Sequence, residues 1–260
     1  MRIATWNVNS IKAHMEAVTR WLAEAKPDVV CLQEIKCEDA GFPALEIEAL
    51  GYTAAVHGQK TYNGVAILSR LPMEDVRRGL PGDSTDEQSR FISALIMDGA
   101  RAVRVASIYL PNGNPAPGPK YDYKLSWMER LKAHALDLLK DEEPLVITGD
   151  YNVIPAARDA KNPSAWVADA LFLPQTRAAF AALTSIGLTE AFRALHPLAE
   201  GVYTFWDYQA GAWQKNNGIR IDHALLSPQA ADLLVAAEVE AHVRGWDKPS
   251  DHVPLVITLR

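Results

Sequence analysis

Gly149-Asp150-Tyr151-Asn152 closes the apolar run Pro144-Leu145-Val146-Ile147-Thr148, and a short apolar run of that kind reads as a buried strand. A strand that ends in Gly-Asp-x-Asn sets a carboxylate beside a carboxamide on the rim of a rigid sheet, where hydrolytic groups are best held. Turn chemistry alone also accounts for Asp and Asn at one such place. The pattern recurs, however. The run from Arg2 to Trp6 meets Asn7-Val8-Asn9, the run from Pro27 to Leu32 meets Gln33-Glu34, and the run from Val103 to Ile108 meets Tyr109-Leu110-Pro111-Asn112. Ser250-Asp251-His252 opens onto the run from Val253 to Ile257. Polar groups at five strand junctions imply one shared rim and one cleft.

Carboxylates with amides and one histidine, without a Cys cluster or His-x-x-x-His, suit a hard cation with oxygen ligands. Magnesium fits that description, held by one or two carboxylates plus water and substrate phosphate. Glu34 is the first candidate ligand, because a Glu closing a buried strand is costly unless it is paired or metal-bound. Asp222 sits in the apolar run Arg220-Ile221-Asp222-His223-Ala224-Leu225-Leu226; a carboxylate that orients His252 would account for its burial. His223 reads as a supporting or surface residue. The chain has no Gly-x-Ser-x-Gly, phosphate-binding glycine loop or dinucleotide fingerprint, so serine nucleophiles and nucleotide cofactors are poorly supported.

These groups need a frame. At 260 residues the chain fits one large α/β domain, residues 1–260, although two smaller units are also compatible with the length. No signal-peptide core follows Met1 and no apolar run approaches a membrane span. Cys31 and Cys37 lack metal-type spacing and read as reduced thiols of a cytoplasmic protein. The 26 Lys and Arg against 32 Asp and Glu leave a net charge of −6, which is not a basic nucleic-acid footprint. A local basic strip with bound cations can still draw phosphates to an acidic protein.

Strand and helix patterns alternate. The spacing predicts a helix over 10–25 with Ser10 as cap and Pro27 beyond its end, strands over 65–68 and 91–97, and a loop over 112–119. It predicts helices over 121–140 and 180–195, with a surface excursion over 155–174. No repeat or low-complexity tract appears.

At this point the motifs are recognisable. TWNVNSIKA, PDVVCLQEIK, HGQKTYNGVAILSR, RRGLPGD, YLPNG, ITGDYNVIP, YTFWDY, GIRIDHALLS and DKPSDHVPL run nearly from end to end. Together they resemble exonuclease III and the related abasic-site endonucleases of the endonuclease/exonuclease/phosphatase superfamily. The resemblance implies a four-layered α/β sandwich of two mainly antiparallel sheets flanked by helices. It implies a magnesium-dependent nuclease, with manganese as a substitute, that incises duplex DNA 5′ to abasic sites and trims 3′ ends. By residue, Asn7, Glu34, Asp150, Asn152 and Asp251 would form the metal region. Asp150 would activate water with Asn152 orienting it, Tyr109 would contact the phosphate or assist the leaving group, and His252, oriented by Asp222, would bind the scissile phosphate. Phe205, Trp206, Ile219 and Ile221 would line a pocket for an extruded abasic sugar, with Arg90, Asn112 and Lys120 as further DNA contacts. Ile219 departs from relatives that carry Trp there, and Pro115 lies where eukaryote-type relatives place an Arg wedge. RRGLPGD and GIRIDHALLS argue against a superfamily phosphatase acting on lipid head groups. A monomer acting on DNA in the cytoplasm, at the nucleoid, is the expectation, without membrane or nucleotide cofactor.

Overall fold

A computed structural model describes residues 1–99 and 101–260 of the chain. Strand β1 (Arg2–Asn7) leads through α1 (Met15–Ala25) to β2 (Val29–Gln33), and α2 (Ala44–Glu48) precedes β3 (Thr53–His57) and β4 (Val65–Ser69). Then come β5 (Met73–Arg78), β6 (Phe91–Asp98), β7 (Arg101–Tyr109), the long α3 (Pro119–Leu139) and β8 (Leu145–Asp150). The last third supplies α4 (Pro174–Ser185), β9 (Thr189–Glu190), α5 (Ala191–Leu195), β10 (Asp222–Leu226), α6 (Pro228–Ala231), β11 (Leu234–Val239) and β12 (Leu255–Leu259).

The strands make two six-stranded sheets, ordered β11-β12-β1-β2-β4-β3 and β5-β6-β7-β8-β10-β9. Each is antiparallel except at its centre, where β1 pairs with β2 and β7 with β8 in parallel. A parallel neighbour needs a crossover helix, and α1 and α3 are those crossovers. Ile3, Val29, Cys31, Val65 and Ile67 of the first sheet pack between the sheets against Ile92, Val103, Val105 and Val146 of the second. Trp6 and Leu32, on the opposite face, pack with Val18 and Trp21 of α1. Ile108 and Ile147 pack with Trp127, Met128 and Leu131 of α3. Burial on both faces explains why these strands read as continuous apolar runs. The result is the expected helix–sheet–sheet–helix sandwich.

Three boundaries differ from the sequence reading. Helix α1 begins at Met15, not Ser10, because the Ser10 and Ile11 N–H groups bond the carbonyls of Glu34 and Ile35 at the β2 exit (2.7 and 3.2 Å). Ser10 Oγ instead accepts the Ala13 N–H at 3.3 Å. The segment over 180–195 is broken at Gly187, φ +108°, so that Thr189–Glu190 can pair with β10. The 155–174 excursion folds inward: Asp159 is buried against Arg220 and Arg193 (2.8 and 2.6 Å). Among the described residues, no helix is long and apolar enough to cross a membrane.

Candidate active site

The central strands of both sheets end on the same rim. Asn7 is opposite Gln33 at the ends of β1 and β2, and Tyr109 is opposite Asp150 at the ends of β7 and β8. On its other side Asp150 faces Asp222, the first residue of β10. Gly149 allows this register. A Cβ there would lie 2.0 Å from the Ile108 carbonyl oxygen, so only glycine brings β8 this close to β7. Two non-glycine residues just past the strands, Glu34 and Asn152, take left-handed backbones, φ +50° and +48°. Conformations of that kind need surrounding structure to hold them. Asn152 is held on three sides: its N–H donates to Asp150 Oδ1 (2.8 Å), its amide nitrogen to the Leu110 carbonyl (2.9 Å), and Lys124 Nζ to its carbonyl (2.6 Å).

His252 joins the two sheets. Its Nδ1 lies 2.8 Å from Asp222 Oδ2, and its Nε2 lies 3.7 Å from Asp150 Oδ2. Burial alone would depress the histidine pKa, but the Asp222 carboxylate, and then Asp150, reverse this, so the ring stays an imidazolium at neutral pH. Burial raises the pKa of Asp150; His252 opposes the rise, Asp222 adds to it, and hydrogen bonds from Asn7 and Asn152 oppose it again. A carboxylate lifted toward neutrality is suited to accept a proton. At Glu34 burial pushes upward, but the hydrogen bond from Asn7 (2.9 Å) and the Lys36 ammonium (3.0 Å) leave it below its ordinary value and charged. Burial, with Glu34 and Asp150 adding to it, holds Tyr109 well above the usual phenol range, so it remains a hydrogen-bond donor. The Arg90 guanidinium covers the Tyr109 ring at 4.7 Å and donates to its carbonyl at 3.1 Å.

The rim encloses a cleft of about 260 Å³. One wall carries Glu34, Tyr109, Asn112, Asp150, Asn152, Asp251 and His252; the other carries Trp166, Leu171, Phe205, Ile219 and Ile221. A charged wall with a proton acceptor facing an apolar wall suits hydrolysis of a charged ester that has an apolar or sugar-like appendage. Glu34, Asp150 and Asp251 offer only oxygen atoms, which fits a hard divalent cation. The tightest acidic group is Asp150, Asp222 and His252, whose ligand atoms lie within 4.8 Å of one another. There Asp222 Oδ2 is engaged by His252 Nδ1, whereas Glu34, Asp150 and Asp251 all line the cleft.

Most of the expected residues meet at this cleft; Trp206, Asn7, Arg90 and Lys120 are placed otherwise. Trp206 does not line it. The chain at Phe205 is extended, bridged to Ile219 on one side and His252 on the other, and successive side chains of an extended segment point to opposite faces. Phe205 faces the cleft, its ring 5.0 Å from His252, while the Trp206 ring packs edge-on against Trp213 and donates to Asn216 Oδ1 (3.0 Å). Asn7 bridges the carboxylates: its amide nitrogen donates to both Glu34 and Asp150 (2.9 Å each), and its Oδ1 accepts the Asn9 N–H. It sets the two carboxylates side by side. Arg90 and Lys120 lie outside the cleft, in an adjoining basin shared with Gln88, Tyr123 and Asn112.

The sequence reading missed Trp166, Asp169 and Leu171, brought in by the excursion, and Asn114, whose amide donates to Asp169 at 3.0 Å. It also missed Lys124 and Arg220. Lys124 carried a signal, since it lies on the buried stripe of α3 with Tyr121, Met128, Leu131 and Ala135. Arg220 sits between Ile219 and Ile221 and, pointing away from the cleft, pairs with Asp159 and Glu190 (2.8 and 2.9 Å). His223 is fully buried, with Nε2 at the Val153 carbonyl (3.0 Å), and serves this network instead of the surface.

Comparison with known proteins gives the family of this fold. The model of the endonuclease/exonuclease/phosphatase family matches residues 4–252. Exodeoxyribonuclease III of Haemophilus influenzae is 33% identical over 98% of this chain and 98% of its own length. An AP endonuclease from Archaeoglobus fulgidus superposes with a TM-score of 0.94 at 36% identity, covering 100% of this chain and 99% of that one. A 3′ phosphatase from Neisseria, solved bound to a product DNA hairpin, gives a TM-score of 0.95 at 37% identity with the same coverage.

Proposed function

The chain belongs to the endonuclease/exonuclease/phosphatase family and is a nuclease-type hydrolase, and we propose that it is a magnesium-dependent DNA-repair phosphodiesterase. It hydrolyses the backbone 5′ to abasic sites and removes nucleotides or blocking groups from the 3′ ends of duplex DNA. The observation that carries this reading is the line Asp222–His252–Asp150, hydrogen-bonded between Asp222 and His252 and an ion pair at 3.7 Å between His252 and Asp150, set across from an apolar wall in one cleft. The names of the relatives support the substrate class.

Asp150 takes the proton of the attacking water through an oxygen on the cleft side, and Asn152, tied to it by its N–H, keeps that carboxylate in one orientation. His252 turns its free Nε2 toward the reacting phosphate, its charge sustained by Asp222. Tyr109 donates its phenolic hydrogen to a phosphate oxygen, and Arg90 keeps its ring in place. Magnesium, with manganese as a substitute, would be held by Glu34 and Asp251 with Asp150, and would supply Lewis-acid stabilisation of the developing charge. Asn7 keeps those carboxylates together despite their repulsion. Phe205, Ile219, Ile221, Leu171 and Trp166 receive the sugar of a lesion that has no base to unstack. Lys120, Asn112 and the basin around them track the adjacent backbone. The working form is a monomer in the cytoplasm, since duplex DNA must reach the open rim.

The test uses one duplex with a single abasic-site analogue and one undamaged duplex with a recessed 3′ end, each with magnesium or with EDTA. The reading predicts a nick 5′ to the lesion and shortening of the recessed end, both only with metal. Cleavage that persists in EDTA, or no action on either duplex with magnesium, overturns it.

A further inference from the structure

Helix α3 buries one charged side chain. Lys124 is fully inaccessible, on the same stripe as Tyr121, Trp127 and Met128. Its ammonium does not meet a carboxylate. It donates to two backbone carbonyls, those of Asn112 (3.0 Å) and Asn152 (2.6 Å). These belong to the loops that leave β7 and β8, the two strands whose last residues are Tyr109 and Asp150. We propose that Lys124 is a positioning residue for the hydrolytic site, a bracket that fixes the β7 and β8 exit loops to each other and so aims Asn112 and Asn152 into the cleft.

Three observations converge on this role. Both residues it grips present their side chains to the cleft, where the Asn112 amide meets Asn152 Oδ1 at 3.3 Å. Asn152 holds a left-handed backbone, φ +48°, that relaxes unless its neighbours hold it. The loop is also cut to fit the lysine: Gly113 lies against the lysine stem, where a Cβ would come within 2.7 Å of Lys124 Cδ. Methionine or leucine would fill the same slot but leave both carbonyls without a donor, at a desolvation cost for each. What an apolar residue lacks is the pair of N–H donors. The carbonyls need one each, and the amine supplies them in either protonation state.

The inference rests on the nuclease reading for its catalytic consequence, but its structural half is independent of any substrate. Lys124→Met is therefore read in two ways. Hydrogen exchange followed by mass spectrometry is expected to quicken in the peptides spanning 110–114 and 149–154 and nowhere else, with the melting temperature lowered by the two carbonyls left without a donor. Steady-state cleavage is expected to show kcat lower by about ten- to a hundredfold, as suits a displacement of up to an ångström at reacting groups, with KM within about threefold. In an Asn152→Ala background the same change should cost much less, because the corner is already loose. Should Lys124→Met fail to fold, Lys124→Gln, with amide donors on a shorter stem, takes its place and is expected to show the same pattern more weakly. Unchanged exchange in both peptides, a kcat within twofold of the parent, or losses that multiply in the double variant would each overturn the proposal. A parent enzyme that cleaves no DNA while the two peptides still loosen would refute the nuclease reading and leave the bracket standing.

Discussion

Replacing Gly149 by alanine tests how the sheet sets the site. The added Cβ would lie 2.0 Å from the Ile108 carbonyl oxygen and 2.9 Å from its carbonyl carbon, whereas ordinary contacts begin at about 3.4 Å. The obstruction is backbone, not the far end of a flexible side chain, so β7 and β8 must part by more than an ångström or twist locally. Overpacking of this kind costs about 1–3 kcal/mol, and the upper end applies because a parallel strand pair must yield. For a chain of this size that corresponds to a fall in melting temperature of roughly 6–12 °C. The catalytic effect is larger, because the displaced pair is Tyr109 and Asp150; a misplacement of about an ångström is expected to reduce kcat on the order of a hundredfold. The assay is thermal unfolding beside steady-state cleavage at saturating DNA and metal. Gly201→Ala is the control: its Cβ would enter open space, so only its left-handed backbone, φ +71°, adds a cost of about 1–2 kcal/mol, with kcat retained. A Gly149→Ala protein with parental kcat would refute the argument that strand spacing positions these groups.

Three further outcomes follow from the same geometry. Asp222→Asn removes the carboxylate that sustains the His252 charge and should lower kcat by roughly 10²–10⁴-fold with little change in melting temperature, measured on the abasic duplex. Phe205→Ala should raise KM for the abasic duplex more than for the recessed end, whereas Trp206→Ala should lower stability by about 3–5 kcal/mol without that discrimination, because the two rings face opposite sides. Glu190, paired with Arg220, is held down to about 2 despite its burial. A depressed carboxyl stabilises the fold above its unfolded pKa of about 4.3 and loses that contribution as pH falls toward 2, here on the order of 2–3 kcal/mol. The melting temperature of the parent should therefore drop more steeply between pH 4.5 and 2 than that of Glu190→Gln.

The central strands were legible in the sequence because both their faces are buried. Continuous apolar runs such as Val29–Gln33 and Leu145–Asp150 have no competing reading once a polar cluster closes each. The edges were not. Strand β5, Met-Glu-Asp-Val-Arg-Arg, is largely exposed and pairs on one side only, so its composition follows solvent and carries no strand signal. Short β9 was absorbed into a helix because Phe180 and Leu183 share helical spacing with Ala191 and Phe192, and only the Gly187 turn separates them.

The site divides in the same way. Asp150, Glu34, Tyr109, Asp222 and His252 stand at the ends of visible strands, so their convergence could be argued from the junctions alone. Trp166 and Leu171 could not be foreseen, because their loop is drawn inward by the distant pairing of Asp159 with Arg220. Trp206 was misjudged for a local reason: adjacent aromatics were given one wall, and an extended backbone cannot turn both to the same side. The bridging of Glu34 and Asp150 by Asn7 was not legible, because sequence carries residue type but not which end of an amide faces the carboxylates.

Asp150→Asn bears most directly on the central claim. The substitution keeps the shape of the side chain and removes its capacity to take a proton, while giving up one of the two hydrogen bonds that the carboxylate oxygens accept from Asn7 and Asn152. Single-turnover cleavage of the abasic duplex with saturating magnesium, alongside DNA affinity, separates chemistry from binding. The account predicts a cleavage rate lower by at least about 10²-fold with affinity for the duplex kept. Cleavage at the parental rate would contradict it.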